Sequence, residues 1–539
     1  MGRKKRVAIV GGGATGASLL WCLTSQEGPR AEIDATLFHD EATVGGHSLT
    51  IPVCFDRNGR GRLTTEQDRV DGNTVYPVDI GVQFICESIY PNVYRQLALP
   101  EFAGAVRLKR HTALKMSGAF GHGRIWGNFG EYQAAPRFQC FDTETRGLAE
   151  RFERDVRRAP WLRVEGRRVA TMTVGEYLDT AGYRRDSSFF RYLLLPYLSV
   201  INGYGTIDLL ETSMSDLFPL YTRIPGLQSD GPYVSFTEPG RGWDRFEDGA
   251  TRWIDAMVAY AEVRGAHIQT HSPIERVVPV KGGVDVYWRD VARGGALRSA
   301  RYDEIVLTTD MRTNRELLHH DDNPFWNLQS DFIAERCFPL LPGVCYIHQD
   351  EELLAPELRD GKEDGQFVGT YAWGDIDETA QLYGLQYDLG SSFQTFSMQN
   401  ILGTPAPCWV SMYAEDRRAR TPDPARTIFS RSWRHGRWVT SFFRKAKRDL
   451  AQVQGIGRIW FAGNNTTMDS QEGALVSAMI TAGAISSWRY PFSRFSTAYL
   501  MYRHLRQIAL GGRRPLVQWN TEADSAAPRQ DGESERSST

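Results

Sequence analysis

The first forty residues alternate short apolar runs with a glycine-rich turn and a helical pattern. Val7–Val10 is a short apolar run that ends in glycines, as a buried parallel strand does. Apolar residues at helical spacing follow over Ala17–Leu23, and Ala35–Phe38 is a second short apolar run. The pattern predicts a βαβ unit at the start of the chain, and hence a parallel sheet with helices on its faces.

Strand-like runs return only far downstream. Ile274–Val280 and Val284–Trp288 predict a hairpin with Gly282-Gly283 in its turn. Glu304–Thr309 and Ile459–Ala462 predict two further buried strands, and the second of them is followed by a helix of small residues over 473–487. The strands that belong together are therefore separated by long blocks of sequence.

A chain of 539 residues exceeds what a single core contains, so we expect two domains. The wide spacing of the strands predicts that one of these domains is discontinuous in sequence. The fold class we expect is α/β: a Rossmann-type domain with an inserted mixed α+β domain. The Rossmann-type domain is built from 1–110, 240–310 and 450–490, and the inserted domain from 111–239 and 311–449. A C-terminal helical segment, 491–521, either docks on the protein body or touches a membrane surface. The polar tail 522–539 is predicted to be disordered.

Composition and charge narrow the possible partners and the compartment. The chain has 63 basic and 65 acidic side chains, a net charge of −2, which argues against nucleic acid as a partner. The seven cysteines form no CxxC pair, so buried thiols are favoured over a disulfide framework or a zinc site. The sequence contains no apolar run of about 18 residues, and we expect a cytoplasmic protein.

The segment after the first predicted strand carries the pattern G-x-G-x-x-G. Gly11, Gly13 and Gly16 are its glycines, and Ala14 and Thr15 lie between the last two. The first glycine allows the tight turn, the second lets a pyrophosphate approach the backbone, and the third lets helix and strand pack closely. The helix N-terminus then presents N–H groups to the phosphates. The pattern predicts a dinucleotide-binding turn.

A residue at the end of the second predicted strand is expected to bind ribose hydroxyls. Counted back from the glycine pair that follows, the position falls on His39, with Asp40 next to it. We assign the ribose contact to Asp40, because a carboxylate is the usual acceptor. In the alternative, His39 donates to the ribose and Asp40 is a solvated charge.

Three further segments favour FAD over NAD as the cofactor. The first is a second glycine pair, Gly45-Gly46, followed by His47; the second is Val78-Asp-Ile-Gly81. The third is Trp460-Phe-Ala-Gly463-Asn464, followed by Gln471-Glu472-Gly473-Ala474. A dehydrogenase that binds only NAD leaves the third segment unexplained.

With these segments the chain resembles the flavin-containing amine oxidase superfamily, which also holds phytoene desaturases and protoporphyrinogen oxidases. Tyr90-Pro91-Asn92, Tyr346–Asp350 and Met398–Leu402 resemble a branch of predicted NAD/FAD-binding proteins associated with cyclopropane-fatty-acid synthases. The resemblance implies that the Rossmann-type domain binds FAD, with Gly81, Gly463 and Asn464 at the cofactor, and that the inserted domain is the substrate or cap domain. It also implies that Gly473 and Ala474 face the flavin's pyrimidine end and that the backbone of Val277 lies against adenine. Two positions depart from the superfamily: His47 stands where arginine is usual, and Asn464 stands where Glu or Asp is usual.

Other residues that invite a chemical role are better explained without one. Lys109 and Lys115 lack a motif and are expected to be solvated charges. Cys408 lacks the context of a covalent flavin attachment, so FAD is predicted to be non-covalent. His319-His320-Asp321-Asp322 is expected to be a polar loop, because adjacent residues rarely converge on one metal ion.

The resulting hypothesis is an FAD-dependent oxidoreductase that moves a hydride from a substrate C–H bond to flavin N5. The branch resemblance implies a hydrophobic or lipid-like small molecule as substrate, with oxygen or another acceptor taking the electrons. An amine or amino-acid oxidase is the first alternative, which Arg417-Arg418 and Arg431 leave open as carboxylate-binding groups. The second alternative is a protein that binds FAD without catalysis.

Overall fold

The computed structural model describes residues 3–25, 32–87, 89–111, 115–120, 124–127, 143–194, 210–214, 217, 243–318, 340–353, 367–373, 393–414, 421–436 and 451–511. The predicted tail 522–539, the 319–322 loop and Arg417-Arg418 lie outside these residues.

Twenty-two strands are assigned in the described residues, named β1 to β22 in chain order. They are Lys5–Val10, Ile33–Phe38, Thr50–Phe55, Gly61–Leu63, Tyr76–Asp79, Leu108–His111, Lys115–Phe120, Arg124–Gly127, Arg163–Val164, Arg167–Arg168, Trp243–Phe246, His267–Gln269, Ile274–Val280, Gly283–Asp290, Ala296–Tyr302, Glu304–Leu307, Leu340–His348, Phe367–Trp373, Phe393–Ser397, Trp409–Ala414, Thr427–Gly436 and Ile459–Phe461.

The α-helices of the same residues are named α1 to α11. They are Ala14–Ser25, Glu66–Val70, Pro91–Leu97, Pro100–Ala103, Thr143–Arg158, Val174–Thr180, Thr251–Glu262, Met311–Leu318, Met398–Leu402, Gln471–Ile485 and Thr497–Leu510. The predicted N-terminal βαβ unit is confirmed as β1, α1 and β2.

A five-stranded parallel sheet is the framework of the candidate cofactor region. Its order is β12-β2-β1-β16-β22, and every neighbouring pair is parallel. Its strands come from three distant parts of the chain, all inside the segments expected to form the FAD-binding domain. The domain boundaries themselves stay a prediction. In such a sheet the carboxyl ends of the strands form one edge, where ligands of open α/β sheets bind.

The two faces of the parallel sheet are covered by different layers, as the continuous apolar runs predict. Along β1, Val7 and Ile9 pack into a core with α1, α7 and α10, whereas Ala8 and Val10 face the other way. The second face packs against the antiparallel sheet β13-β14-β15. The predicted hairpin is confirmed as β13 and β14, with Gly282 between them.

A second large sheet is formed by residues from the long intervening blocks. Its order is β21-β17-β20-β19-β18-β7-β8, and only β18 and β7 are parallel neighbours. Strand β21 lies at one edge, and it brings side chains to the carboxyl edge of the parallel sheet. The α/β fold class with an additional mixed region is thus confirmed.

The C-terminal segment contains α11, which is docked on the body of the protein. Its Tyr502, Leu505 and Ile508 are buried in the core that also holds α1 and α10. Among the described residues, no helix is long and apolar enough to cross a membrane.

Candidate functional site

The first glycine turn lies between β1 and α1 at the carboxyl edge of the parallel sheet. Gly11 has φ of +110°, a conformation that side chains rarely adopt, and its N–H donates to the carbonyl of Phe38. A methyl group built at Gly16 would lie 2.0 Å from the carbonyl oxygen of Gly11, so helix and turn are in backbone contact. At Gly13 the nearest atom to such a methyl is 3.9 Å away, an ordinary van der Waals distance, so a methyl group there would not clash.

The second glycine pair docks directly on the first. The Gly45 N–H donates to the carbonyl of Gly12, and a methyl group built at Gly46 would lie 3.2 Å from Cα of Gly13. The two turns therefore meet backbone to backbone, with no side chain between Gly13 and Gly46. We call this arrangement the glycine cradle; it exposes main-chain atoms to the space above both turns.

Gly81 packs against the main chain of His47, the residue that follows the second glycine pair. A methyl group at Gly81 would lie 2.1 Å from the carbonyl oxygen of His47, so only glycine fits here. The His47 ring meets the edge of Trp433 on β21, with ring centroids 5.1 Å apart.

The late segment 463–474 reaches the same place from the far end of the chain. Gly463, with φ of +112°, faces Thr15: a methyl group there would lie 3.2 Å from the Thr15 hydroxyl oxygen. A methyl group at Gly473 would lie 1.9 Å from the carbonyl oxygen of Met468, and Ala474 is buried beside it. All three predicted FAD-binding segments therefore converge on the cradle.

Two amide side chains of this late segment have buried oxygens with no hydrogen-bond partner among the described residues. They are Asn464 Oδ1 and Gln471 Oε1. Both amide nitrogens are engaged, Asn464 Nδ2 with Asp469 at 2.5 Å and Gln471 Nε2 with Ser48 at 3.4 Å. A buried acceptor without a donor is destabilising and uncommon in native proteins. The two oxygens therefore suit a bound molecule that carries hydroxyl or N–H groups.

At the end of β2 the structure brings His39, rather than Asp40, onto the glycine turn. A methyl group at Gly12 would lie 2.7 Å from Cγ of the buried His39 ring. The Asp40 side chain is 68% exposed, and its hydrogen bond with His39 lowers the pKa of the carboxyl group. The other ring nitrogen of His39 lies 2.8 Å from the carbonyl oxygen of Thr43. Both His39 nitrogens thus have partners and Asp40 is largely exposed, so the ribose contact stays a prediction for either residue.

Val277 lies on β13, with its side chain buried in the core between the two sheets. Just before this strand, His271 N–H donates to the carbonyl of Glu41 and Ser272 N–H donates to that of His39. The segment is thus tied to the end of β2, and its proposed adenine contact stays a prediction.

Glu472 has a role that sequence reasoning missed. Its buried carboxylate accepts hydrogen bonds from the N–H groups of Asn92 and Val93, at 3.0 Å each, and from Asn92 Nδ2 at 2.6 Å. The N-terminus of α3 is therefore held against the first turn of α10. Burial raises the pKa of Glu472 to about 7, and the hydrogen bonds oppose part of that rise. The sequence signal was an acidic residue at the start of a helix that has no other charged residue.

Asp79 is the second buried carboxyl group near the cradle. It accepts from the Thr50 hydroxyl at 2.6 Å and from the Ala250 N–H, directly before α7, at 2.8 Å. Burial raises its pKa to about 7. Asp79 therefore positions the end of β5, two residues before Gly81, and nothing in the local sequence indicated its partners.

Strand β21 connects the large sheet to this region by two ion pairs. Arg431 binds Glu41 at 2.7 Å, and Arg434 lies 3.5 Å from Asp310, which follows β16. Arg431, which the sequence left open as a carboxylate-binding group, is thus paired with a carboxylate of the protein itself.

The other candidate residues have structural roles where the structure describes them. Lys109 is exposed on β6, as expected of a solvated charge. Cys408 is fully buried in an apolar core beneath the large sheet, and burial raises the pKa of its thiol to about 12. No group of three or more His, Cys, Asp or Glu residues suited to a metal ion occurs in the described part of the chain. The side chain of Lys115 lies outside it.

Several solved structures share the overall fold of this chain. Cyclohexylamine oxidase from Brevibacterium oxydans IH-35A is 14% identical, with a TM-score of 0.54 over 90% of this chain and 99% of its own. The CLA-producing fatty acid isomerase from P. acnes is 13% identical, with a TM-score of 0.55 over 90% and 100%. Wild-type putrescine oxidase bound to putrescine is 12% identical, with a TM-score of 0.51 over 90% and 99%.

The chain has the fold of the FAD-binding amine oxidases. No protein family and no curated protein matches it by sequence. The predicted superfamily resemblance is therefore confirmed at the level of the fold, while the narrower branch stays a prediction.

Proposed function

We propose that this protein is an FAD-dependent oxidoreductase that binds FAD non-covalently along the glycine cradle. The observation that carries the proposal is the cradle itself, in which the Gly13 and Gly46 backbones meet with no side chain between them, together with the unpaired buried oxygens of Asn464 and Gln471. A dinucleotide supplies both groups that such a site lacks: a diphosphate for the glycine backbone and hydroxyl groups for the amide oxygens.

The chain's residues would divide the cofactor between them. The turn Gly11–Gly16 and the pair Gly45-Gly46 would hold the diphosphate, with the N-terminus of α1 directed at it. Asn464 would accept from hydroxyl groups of the cofactor. The start of α10 at Gly473 and Ala474 would stabilise negative charge on the flavin ring through its dipole. When bound, the flavin supplies the chemistry by accepting a hydride at N5.

Non-covalent binding is supported by the state of the cysteines. Each cysteine side chain in the described residues is buried (Cys22, Cys54, Cys86, Cys345 and Cys408). Burial raises the pKa of the Cys408 thiol far above neutrality, so the nucleophilic thiolate is scarce.

For the substrate, we propose a hydrophobic or lipid-like small molecule that undergoes oxidation, desaturation or isomerisation. A fatty acid isomerase among the similar structures supports this class. Amine oxidation is the second candidate, because two other similar structures are a cyclohexylamine oxidase and a putrescine oxidase. Against an amino-acid substrate bound by Arg431 stands the ion pair of that residue with Glu41.

The test of the cofactor is an absorption spectrum of the purified protein before and after acid denaturation. We expect the visible bands of oxidised flavin, released into the supernatant on denaturation. Anaerobic bleaching of those bands by fatty acids, but not by amines, would support the lipid-like class; the reverse would select the amine. A flavin that no substrate or chemical donor other than dithionite reduces would favour a non-catalytic binding protein.

A variant locates the diphosphate. Gly13→Val places a side chain in the open space of the cradle, and its built Cβ meets no atom closer than 3.9 Å, so the fold is kept while flavin is lost. Gly104→Val is the matched control, because a side chain there meets nothing within 4 Å and the glycine lies away from the cradle. Full flavin occupancy in the Gly13 variant would refute the proposed position of the diphosphate.

A further inference from the structure

The segment of the chain that contains α11 is strongly cationic although the whole chain is not. Between Gly473 and Thr521 the sequence contains six arginines and no aspartate or glutamate, in a protein of net charge −2. The arginines are Arg489, Arg494, Arg503, Arg506, Arg513 and Arg514. Positive charge is therefore concentrated in this stretch of the sequence, where it can act on a negatively charged partner.

An apolar tip lies at the start of α11. Ser496 caps this helix by accepting from the Tyr499 N–H, which places Phe495 just before the cap and Leu500 at the fourth helical position. Residues at these two positions lie on the same side and commonly pack against each other. Here the Phe495 side chain is 102% exposed and Leu500 is 62% exposed. The pair therefore projects into solvent instead of closing on itself.

The orientation of α11 is fixed by its opposite face. Tyr502, Leu505 and Ile508 are buried against the body of the protein. Arg503 follows Leu500 by three residues, so both share the outward face, and Arg503 is exposed. Arg494, next to Phe495, is exposed as well. Two large apolar side chains are thus presented on the solvent side together with two arginines.

We propose that Arg494, Phe495, Leu500 and Arg503 form a surface that binds the protein peripherally to anionic lipid bilayers. An aromatic and a leucine side chain suit the boundary between headgroups and acyl chains, and arginines suit anionic headgroups. A second copy of the chain is a poorer occupant, because a symmetric contact sets this cationic surface against itself. The surface does not depend on the proposed flavin chemistry.

The test is flotation of the full-length protein with vesicles. Phosphatidylcholine vesicles containing phosphatidylglycerol bind the protein, whereas phosphatidylcholine alone does not, and added salt weakens binding. Arg494→Gln with Arg503→Gln lowers the partition coefficient about thirtyfold. Phe495→Ser lowers it about tenfold or more. Arg494→Lys with Arg503→Lys keeps the charge and retains most of the binding.

Matched controls come from other surfaces of the molecule. Val263→Ser removes an apolar side chain that is 85% exposed beyond the end of α7 and leaves binding unchanged. Arg184→Gln with Arg312→Gln removes two exposed charges elsewhere and has only the weak effect of net charge. Equal binding to neutral vesicles, no binding to anionic ones, or unaltered binding of the Phe495 and arginine variants overturns the proposal. So does sedimentation velocity in which Phe495→Ser dissociates an oligomer, since this surface then joins two copies.

Discussion

Protonation of Glu472 is expected to make the stability of the protein depend on pH. The carboxyl group is fully buried between α10 and α3, and burial raises its pKa from 4.5 in the unfolded chain to about 7. The folded protein therefore holds the proton more tightly than the unfolded chain. Stability from this group is greatest below about pH 4.5 and is lost as the pH rises towards 7.

The size of the effect follows from the pKa change. One pKa unit corresponds to about 1.4 kcal/mol, so the rise from 4.5 to about 7 amounts to about 3 kcal/mol in the free energy of unfolding. Glu472→Gln removes the titration and keeps the shape of the side chain. Relative to the unaltered protein, the variant should gain about 3 kcal/mol between about pH 5 and pH 8.

Equilibrium urea unfolding of both proteins at the two pH values measures this difference. Asp79, whose pKa burial also raises to about 7, is present in both proteins and cancels from the comparison. A free-energy difference that does not change with pH would refute the reasoning. It would mean that the N–H groups of Asn92 and Val93, at the start of α3, keep Glu472 ionised throughout.

Three further outcomes follow from the geometry of single positions. Gly16→Ala should unfold the protein or lower its melting temperature sharply, because the methyl meets the Gly11 carbonyl at 2.0 Å. Gly13→Ala should leave the melting temperature of the flavin-free protein unchanged, because the methyl meets no atom closer than 3.9 Å. A double-mutant cycle of Arg431→Ala and Glu41→Ala should give a coupling of about 0.5–1 kcal/mol in unfolding, since the pair is partly exposed; a coupling several times larger would contradict this. Cys408 should resist a thiol reagent at neutral pH until the protein unfolds, and rapid labelling of the native protein would contradict its burial.

Local patterns in the sequence were sufficient for the parallel sheet and the glycine turns. The three glycines of the motif differ in what each requires of the backbone. Gly11 takes a positive φ in the tight turn, Gly13 leaves its position free of clashes, and Gly16 is in close contact with the Gly11 carbonyl, as the motif predicts. The strands were recognisable because each is a continuous apolar run covered on both faces. Such information lies within a few residues of each position.

Contacts between distant segments could not be predicted from local sequence patterns. Glu472 and Asn92 are 380 residues apart, and Asp79 meets Ala250 across 171 residues. Counting along β2 left His39 and Asp40 as alternatives, and it could not show that the His39 ring packs against Gly12 while Asp40 is exposed. The ion pair of Arg431 with Glu41 likewise depends on where β21 meets the carboxyl edge of the parallel sheet.

Asn464 departs from the acidic residue of the superfamily for a reason that the structure supplies. Its amide nitrogen donates to Asp469 at 2.5 Å, so an acidic residue at 464 would set two carboxylates in contact. Two carboxylates that share a site hold a proton between them, and their repulsion grows as that proton is lost. Asn464→Asp should therefore retain flavin at acidic pH and lose it towards neutrality, in a spin-filtration assay of bound flavin. Asn464→Asp with Asp469→Asn restores an amide–carboxylate pair in reverse and should recover retention. If the single variant holds flavin as the unaltered protein does at neutral pH, the amide is not needed by Asp469, and the departure at 464 has another cause.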